Sequence, residues 1–291
     1  MAWPAGPPRP ERTRRRLSAA LAARIMASMA SSADVPVAKL PGGGQLPMVG
    51  FGTWALHGRG AREAVGAALT AGYRHIDTAT MYRNEDSVGQ ALRESGLPRS
   101  DVFVTTKLQA SDVDRARALL DASLHALGTD YLDLWLLHWP PSRPAGRLQA
   151  WRDLLAAQAE GLARDVGVSN FSVAQIDELI AATGQTPAVN QIDWGPALYD
   201  RAVLAGHAAR GVLVEGYSPL KNTNLRDRAL TAIAAAHGVS AAQVVLRWHL
   251  QHDITVIPKS GRPERIAANL DLFGFTLTAD QMAALDGLGG G

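Results

Sequence analysis

From residue 48 onward, short apolar runs and longer amphipathic runs take turns along the chain. The runs "MVGFG", "YRHID", "VFVTTK", "YLDLWLLH", "RDVGVSN", "AVNQID", "VLVEGYS" and "ITVIPKS" are rich in Val, Ile, Leu and Tyr and have strand length. The segments between them carry helical signals. Val113, Ala116, Leu120, Leu124 and Leu127 fall on one helical face, Ser111 to Asp114 reads as a capping box, and Gly128 closes that helix. Ser172 with Gln175, Ser240 with Gln243 and Thr278 with Gln281 repeat the capping device. Strands separated by helices pair in parallel. Eight such units in roughly 250 residues predict a closed (β/α)₈ barrel rather than an open sheet. Before the first unit, "VPVAKL" and "QLPMVG" flank "PGGG", the pattern of a hairpin expected to close the barrel bottom.

The composition narrows what such a barrel does. Of 291 residues 47% are apolar, enough for one large core, and a net charge of +2 gives no reason to expect a nucleic-acid partner. The absence of cysteine excludes disulfides, thiolate metal sites and a cysteine nucleophile, and fits a cytoplasmic setting. No apolar run is long enough to span a bilayer. Residues 1–33 stand apart: Arg9, Arg12, Arg14, Arg15, Arg16 and Arg24 face one acid, Glu11. The segment reads as a targeting segment or as an extension from an early start, with Met26 or Met29 the true one, and the second is favoured. Disorder is expected there, with the folded domain running over residues 34–291.

In parallel barrels the active site gathers at the C-terminal ends of the strands. Here those ends are polar while the strands are apolar. They bring Asp77, Lys107, His138, Ser169 with Asn170, Asn190 with Gln191, Tyr217 with Ser218, and Lys259 with Ser260. Tyr82 lies on the loop after Asp77 and can fold over the mouth. A buried lysine beside a tyrosine is expected to lower the phenol's pKa, and a carboxylate beside the lysine keeps it charged. Such a phenol protonates a developing alkoxide, and a nearby histidine steers the same oxygen. That is a site for carbonyl reduction, provided a nicotinamide or flavin supplies hydride.

"IPKSGRPER" suggests where the cofactor's phosphates go. Lys259, Ser260 and Arg265 put two cations and a hydroxyl at a helix start that Pro263 favours, and two cations suit a 2′-phosphate, hence NADPH over NADH. Tyr217 offers a face on which a nicotinamide stacks, and Ser169, Asn170 and Gln191 are expected to hydrogen-bond its carboxamide.

At these residues the chain strongly resembles the aldo-keto reductase family. "GYRHIDTATMYRNEDSVG", "ARDVGVSNF" and "IPKSGRPERIAANLDLF" resemble its three signatures, and "FVTTK" and "LLHWP" supply Lys107 and His138. The resemblance implies a catalytic tetrad of Asp77, Tyr82, Lys107 and His138 with Tyr82 as general acid, and NADPH bound extended without a Rossmann fold. It further implies that Asn269 contacts the adenine, that Gly52, Thr53 and Trp54 lie beside cofactor and pocket, and that Ser218, Pro219 and Leu220 lie near the diphosphate. The departures concern the pocket. Gln109 stands where many relatives carry Trp, Asp193-Trp194-Gly195-Pro196 replaces an acid-aromatic-His-Pro run, the loop after His138 is short, and the chain stops at "GLGGG". An open substrate pocket lined by Trp54, Trp139 and Trp194 is expected.

Taken singly, each of these residues fits a structural role as well. Four titratable groups in order, each at or just after a strand, reverse that reading. "GFGTWA" matches a loose dinucleotide-binding pattern, but "LHGRG" follows in place of a helix start. His75 and Asp77 point the same way on one strand, yet later strands offer no further histidine ligands, so no metal is expected. The expectation is a monomeric, cytoplasmic NADPH-dependent carbonyl reductase acting on a small molecule without nucleic-acid or membrane partners. The rival is a cofactor-binding regulatory subunit of the same fold.

Overall fold

The computed structural model describes residues 35–289. The expectation for residues 1–33 lies outside them. The chain enters through strands β1 (Val37–Lys39) and β2 (Gln45–Pro47), an antiparallel pair with Val37 opposite Pro47. The turn between them is held from below. Gly42 and Gly44 donate their backbone N–H groups to the two carboxylate oxygens of Asp165, at 2.6 and 3.0 Å. A Cβ on Gly42 would lie 2.1 Å from the Arg164 carbonyl oxygen, so the glycines serve this docking as well as the turn.

Eight parallel strands follow: β3 (Phe51–Gly52), β4 (His75–Asp77), β5 (Phe103–Leu108), β6 (Leu132–Leu137), β7 (Ala163–Ser169), β8 (Val189–Asp193), β9 (Leu213–Tyr217) and β10 (Thr255–Val256). Each pairs with its neighbour in sequence order. A parallel bridge between Val49 and Val256 closes the ring, with Gly50 N–H donating to the Val256 carbonyl at 2.8 Å and Val256 N–H to that of Met48 at 2.9 Å. All eight quoted runs become barrel strands. Leu46 from the hairpin is fully buried and packs with Leu40, Phe103, Leu134, Leu136 and Val189 to fill the base.

The helices are α1 (Gly58–Ala71), α2 (Glu85–Glu94), α3 (Ala116–Leu127), α4 (Pro144–Ala159), α5 (Val173–Thr183), α6 (Arg201–Ala208), α7 (Arg228–His237), α8 (Ala241–Gln251), α9 (Pro263–Leu270) and α10 (Ala279–Asp286). Their apolar faces cover the outside of the barrel, so β5 and β6 are buried along their whole length. Capping boxes form at Ser172, Ser240 and Thr278. The one expected at Ser111 does not. Ala110–Arg115 is a 3₁₀ turn, and α3 starts only at Ala116. Ser111 Oγ donates to Asp112 (3.3 Å), whose carboxylate also takes Arg115 at 2.6 Å. Ser111 thus bonds to Asp112, and Asp112 to Arg115, rather than to backbone N–H groups. Among the described residues no single helix is long and apolar enough to cross a membrane.

Candidate active site

The register of the barrel decides which side chains meet. Gly52 pairs with Asp77, and Asp77 with Thr105. Side chains two apart share a face, so Asp77 and Lys107 both point into the barrel mouth. The Lys107 ammonium donates to Asp77 Oδ1 and Oδ2, each at 2.7 Å, and to the Thr78 carbonyl at 2.8 Å. Lys107 is fully buried, and all three of its N–H bonds are used.

Tyr82 closes a 3₁₀ turn over this pair, with its ring centroid 5.3 Å from Lys107 Nζ. The turn is fixed by neighbours outside the expected site residues. Thr80 Oγ1 donates to the Lys107 carbonyl at 2.9 Å. Asn84 is fully buried; its Nδ2 donates to the carbonyls of Thr53 (3.0 Å) and Leu56 (2.9 Å), and its Oδ1 accepts from Thr78 Oγ1 at 2.8 Å. Arg83, in the left-handed region at φ 53°, turns the chain between Tyr82 and Asn84. His138 follows β6. Its ring meets that of Tyr82 edge to face at 5.8 Å, and its backbone carbonyl accepts from Asn170 Nδ2 at 3.1 Å.

The electrostatics follow from burial. Burial favours the neutral amine of Lys107, but the Asp77 carboxylate and then Tyr82 outweigh it, and its pKa lies above the ordinary value. Burial raises Asp77, against the Lys107 ammonium and the Gln191 amide. For Tyr82 burial wins over the pull of Lys107, so its pKa is raised. This corrects the expectation of a lowered phenol pKa. The loss of water around the buried ring, with the Asp77 charge adding to it, outweighs the charge and hydrogen bond of the Lys107 ammonium. His138 is pushed down to about 3 by burial and then by Lys107, so it is neutral, and its buried Nδ1 has no partner among the described residues.

A second buried carboxyl lies behind the first. Gln191 Nε2 donates to Asp77 Oδ2 at 2.8 Å and also to Glu215 Oε1. Burial and then the Asp77 charge raise Glu215 to about 8. Glu215 is not among the residues expected at the site. Its signal was an acid at an inward position of the otherwise apolar run "VLVEGYS".

The mouth opens into a cavity of 410 Å³ bordered by Gly52, Trp54, Asp77, Tyr82, His138, Trp139, Asn170, Gln191, Tyr217, Ser218, Pro219, Leu220 and Lys259. Trp54 and Trp139 stand half exposed at its rim (57% and 50%). The Tyr217 hydroxyl donates to Asn170 Oδ1 at 2.8 Å, which fixes the ring beside the cavity. The hydroxyl of Ser169 is turned away: it donates to the Gln191 carbonyl at 2.7 Å and accepts from Asn170 at 3.0 Å. Thr53 is buried and donates from Oγ1 to the Asp77 carbonyl at 3.0 Å. Lys259 and Arg265 are exposed, with Arg265 in the first turn of α9, while Ser260 is buried and accepts from Arg262 N–H at 3.1 Å. Asn269 is buried on the last turn of α9. Trp194 does not reach the cavity. It is 4% exposed and packs edge to face on Tyr199, in an apolar cluster with residues of α7 and α8. His75, considered as a partner of Asp77 for a metal, has its nitrogens within 3.3 Å of the Pro47 carbonyl and 3.2 Å of Thr105 Oγ1. A larger cavity of 730 Å³ lies at the opposite end, between the hairpin and α6, and none of the four converging groups reaches it.

Comparison with known proteins gives this constellation a context. A sequence profile described as "Aldo/keto reductase family" matches residues 48–289. The chain belongs to this family. It therefore ranks among the NADP-dependent oxidoreductases whose general chemistry is reduction of carbonyl compounds. It is similar to an aldo-keto reductase of Mycolicibacterium smegmatis, 45% identical over 270 residues that cover 92% of this chain and 95% of that one. Among solved structures it is similar to an aldo/keto reductase from Brucella melitensis, with TM-score 0.85 and 42% identity, covering 87% of this chain and 98% of that one. It is also similar to a Bombyx mori aldo-keto reductase in complex with NADP, with TM-score 0.81 and 34% identity over 87% and 92%.

Proposed function

We propose that the protein reduces aldehydes or ketones to alcohols with NADPH, and that Tyr82 is the general acid. The observation that carries this reading is the placement of a protonated phenol beside a buried Lys107–Asp77 pair and a neutral His138, on one open cavity.

The cavity fits a nicotinamide cofactor. Tyr217 is held by Asn170 with its ring beside the cavity, Gln191 and Lys259 border it, and exposed Lys259 and Arg265 are the cations that would meet the cofactor's phosphates. NADPH, when bound, supplies hydride to the carbonyl carbon. The chain's own residues do the rest. His138 is neutral, so one ring nitrogen can donate to the carbonyl oxygen and orient it. The raised pKa keeps the Tyr82 hydroxyl protonated at neutral pH, ready to give its proton to that oxygen as negative charge develops. Lys107 stabilises the phenolate that remains, and Asp77 keeps Lys107 charged and in place. Trp54 and Trp139 supply apolar surface at the rim and exclude water from one side of the substrate.

The test is a screen of aldehydes, ketones and α-dicarbonyls followed by NADPH absorbance, with Tyr82→Phe alongside. The wild type is expected to oxidise NADPH, and the variant to lose about 10²–10⁴ in kcat while retaining NADPH affinity. NADPH binding without turnover on any carbonyl would point instead to a regulatory subunit. Unchanged turnover in the variant would remove Tyr82 from its role.

A further inference from the structure

Glu215 is fully buried inside the barrel, and among the described residues no cation is bonded to it. Its one hydrogen-bond partner among the described residues is Gln191 Nε2, and its second oxygen, Oε2, has none. Thr255, paired with Glu215 in the β9–β10 register, likewise has a buried hydroxyl without a partner. Burying a carboxyl in this way is unfavourable, and an apolar residue of similar volume would fill the space at lower cost. Stability therefore does not explain Glu215. What it does locally is specific. A side-chain amide has two N–H donors and one oxygen. Gln191 directs one N–H to Asp77 Oδ2 and the other to Glu215 Oε1. With both donors turned inward, Oε1 is the atom left for the cavity that Gln191 borders.

We propose that Glu215 is a positioning residue that fixes the amide of Gln191 so that the cavity meets an acceptor, and so selects a cofactor ring bearing a carboxamide N–H. The inference rests on the reading that a nicotinamide cofactor binds in this cavity. Asp77 alone holds one N–H of Gln191; Glu215 supplies the second anchor that stops the amide from turning its nitrogen outward. A ring substituent with a carbonyl but no N–H gains nothing from the acceptor.

Two probes separate these cases: NADP⁺, whose carboxamide donates, and 3-acetylpyridine adenine dinucleotide phosphate, whose acetyl group does not. Their dissociation constants are measured by quenching of tryptophan fluorescence on the wild type, Glu215→Met and Glu215→Gln. The ratio of the two constants is the readout, because it does not depend on the fraction of protein correctly folded. Glu215→Met is expected to weaken NADP⁺ by about five- to tenfold and the analogue by less than about twofold, as for loss of one oriented hydrogen bond. Glu215→Gln keeps an acceptor for Gln191 and is expected to restore the wild-type ratio. Equal weakening of both probes, or an unchanged ratio in Glu215→Met, overturns the proposal while leaving the reductase reading intact. A wild type that binds neither probe overturns both.

Discussion

Lys107 donates to both oxygens of the Asp77 carboxylate at 2.7 Å and to the Thr78 carbonyl at 2.8 Å, which anchors the ammonium beneath the Tyr82 ring. Burial pushes the pKa of the Tyr82 phenol up, while the charge of Lys107 and its hydrogen-bonding reach toward the hydroxyl both pull it down. Removing either partner leaves a charge buried without a counter-charge, a loss of about 3–5 kcal/mol. Asp77→Leu and Lys107→Met are each expected to show it in denaturant unfolding. The double variant removes both charges and should be more stable than either single one. Additive losses would mean that the two groups do not act as a pair. Turnover is expected to vanish in all three.

The opposite end of the barrel answers to a different contact. Asp165 holds the hairpin through Gly42 and Gly44, at 2.6 and 3.0 Å. Asp165→Ala leaves two backbone N–H groups without their acceptor and is expected to cost about 3 kcal/mol in denaturant unfolding, since bonds to a carboxylate count for more than neutral ones. The cavity with Tyr82 lies at the other end of the strands, so kcat measured below the unfolding transition should stay within about twofold. A large fall in kcat at unchanged stability would contradict a purely structural hairpin.

The barrel was legible because most of its strands are largely buried on both faces and most of its helices are amphipathic, two patterns that survive in a linear chain. The convergence of Asp77, Lys107 and His138 was legible for a related reason: a parallel barrel puts every strand's C-terminal end on one face. What escaped were contacts that depend on where a side chain turns. Ser111 bonds to Asp112 instead of capping α3, Ser169 turns its hydroxyl to the Gln191 carbonyl, and Trp194 packs on Tyr199. The sign of the Tyr82 shift escaped too, since it is a contest between burial and the Lys107 charge that spacing cannot decide.

Glu215 gives the molecule a pH-dependent stability of definite sign. Its pKa rises from 4.5 in the unfolded chain to about 8 when folded. Between those values the folded state keeps a proton that the unfolded state has released, so stability falls as pH rises through this window and levels off above it. Glu215→Gln has no such proton. The wild type is therefore expected to lose stability relative to Glu215→Gln between pH 5 and pH 8, at a slope approaching about 1.4 kcal/mol per pH unit. Denaturant unfolding of both proteins across that range checks it, and a difference that does not change with pH would mean that Glu215 is ionised throughout.

Lys259 and Arg265 are the two side chains proposed to recognise the cofactor's 2′-phosphate. Both are exposed, and neither forms a salt bridge with an acid among the described residues. Lys259 borders the cavity, and Arg265 sits in the first turn of α9, where Pro263 opens the helix and its N-terminus adds positive potential. A dianionic phosphate there gains charge-assisted hydrogen bonds that NADH, with a bare 2′-hydroxyl, does not make. Lys259→Ala with Arg265→Ala is expected to weaken NADPH by about 10–100-fold and NADH by no more than about threefold, which equilibrium fluorescence titration reads directly. Because the cations are exposed, the NADPH advantage should also shrink as salt rises from about 0.05 to 0.5 M. Equal weakening of both cofactors would place the 2′-phosphate elsewhere on the protein. An NADPH affinity indifferent to salt would mean that these two side chains do not meet it as free charges.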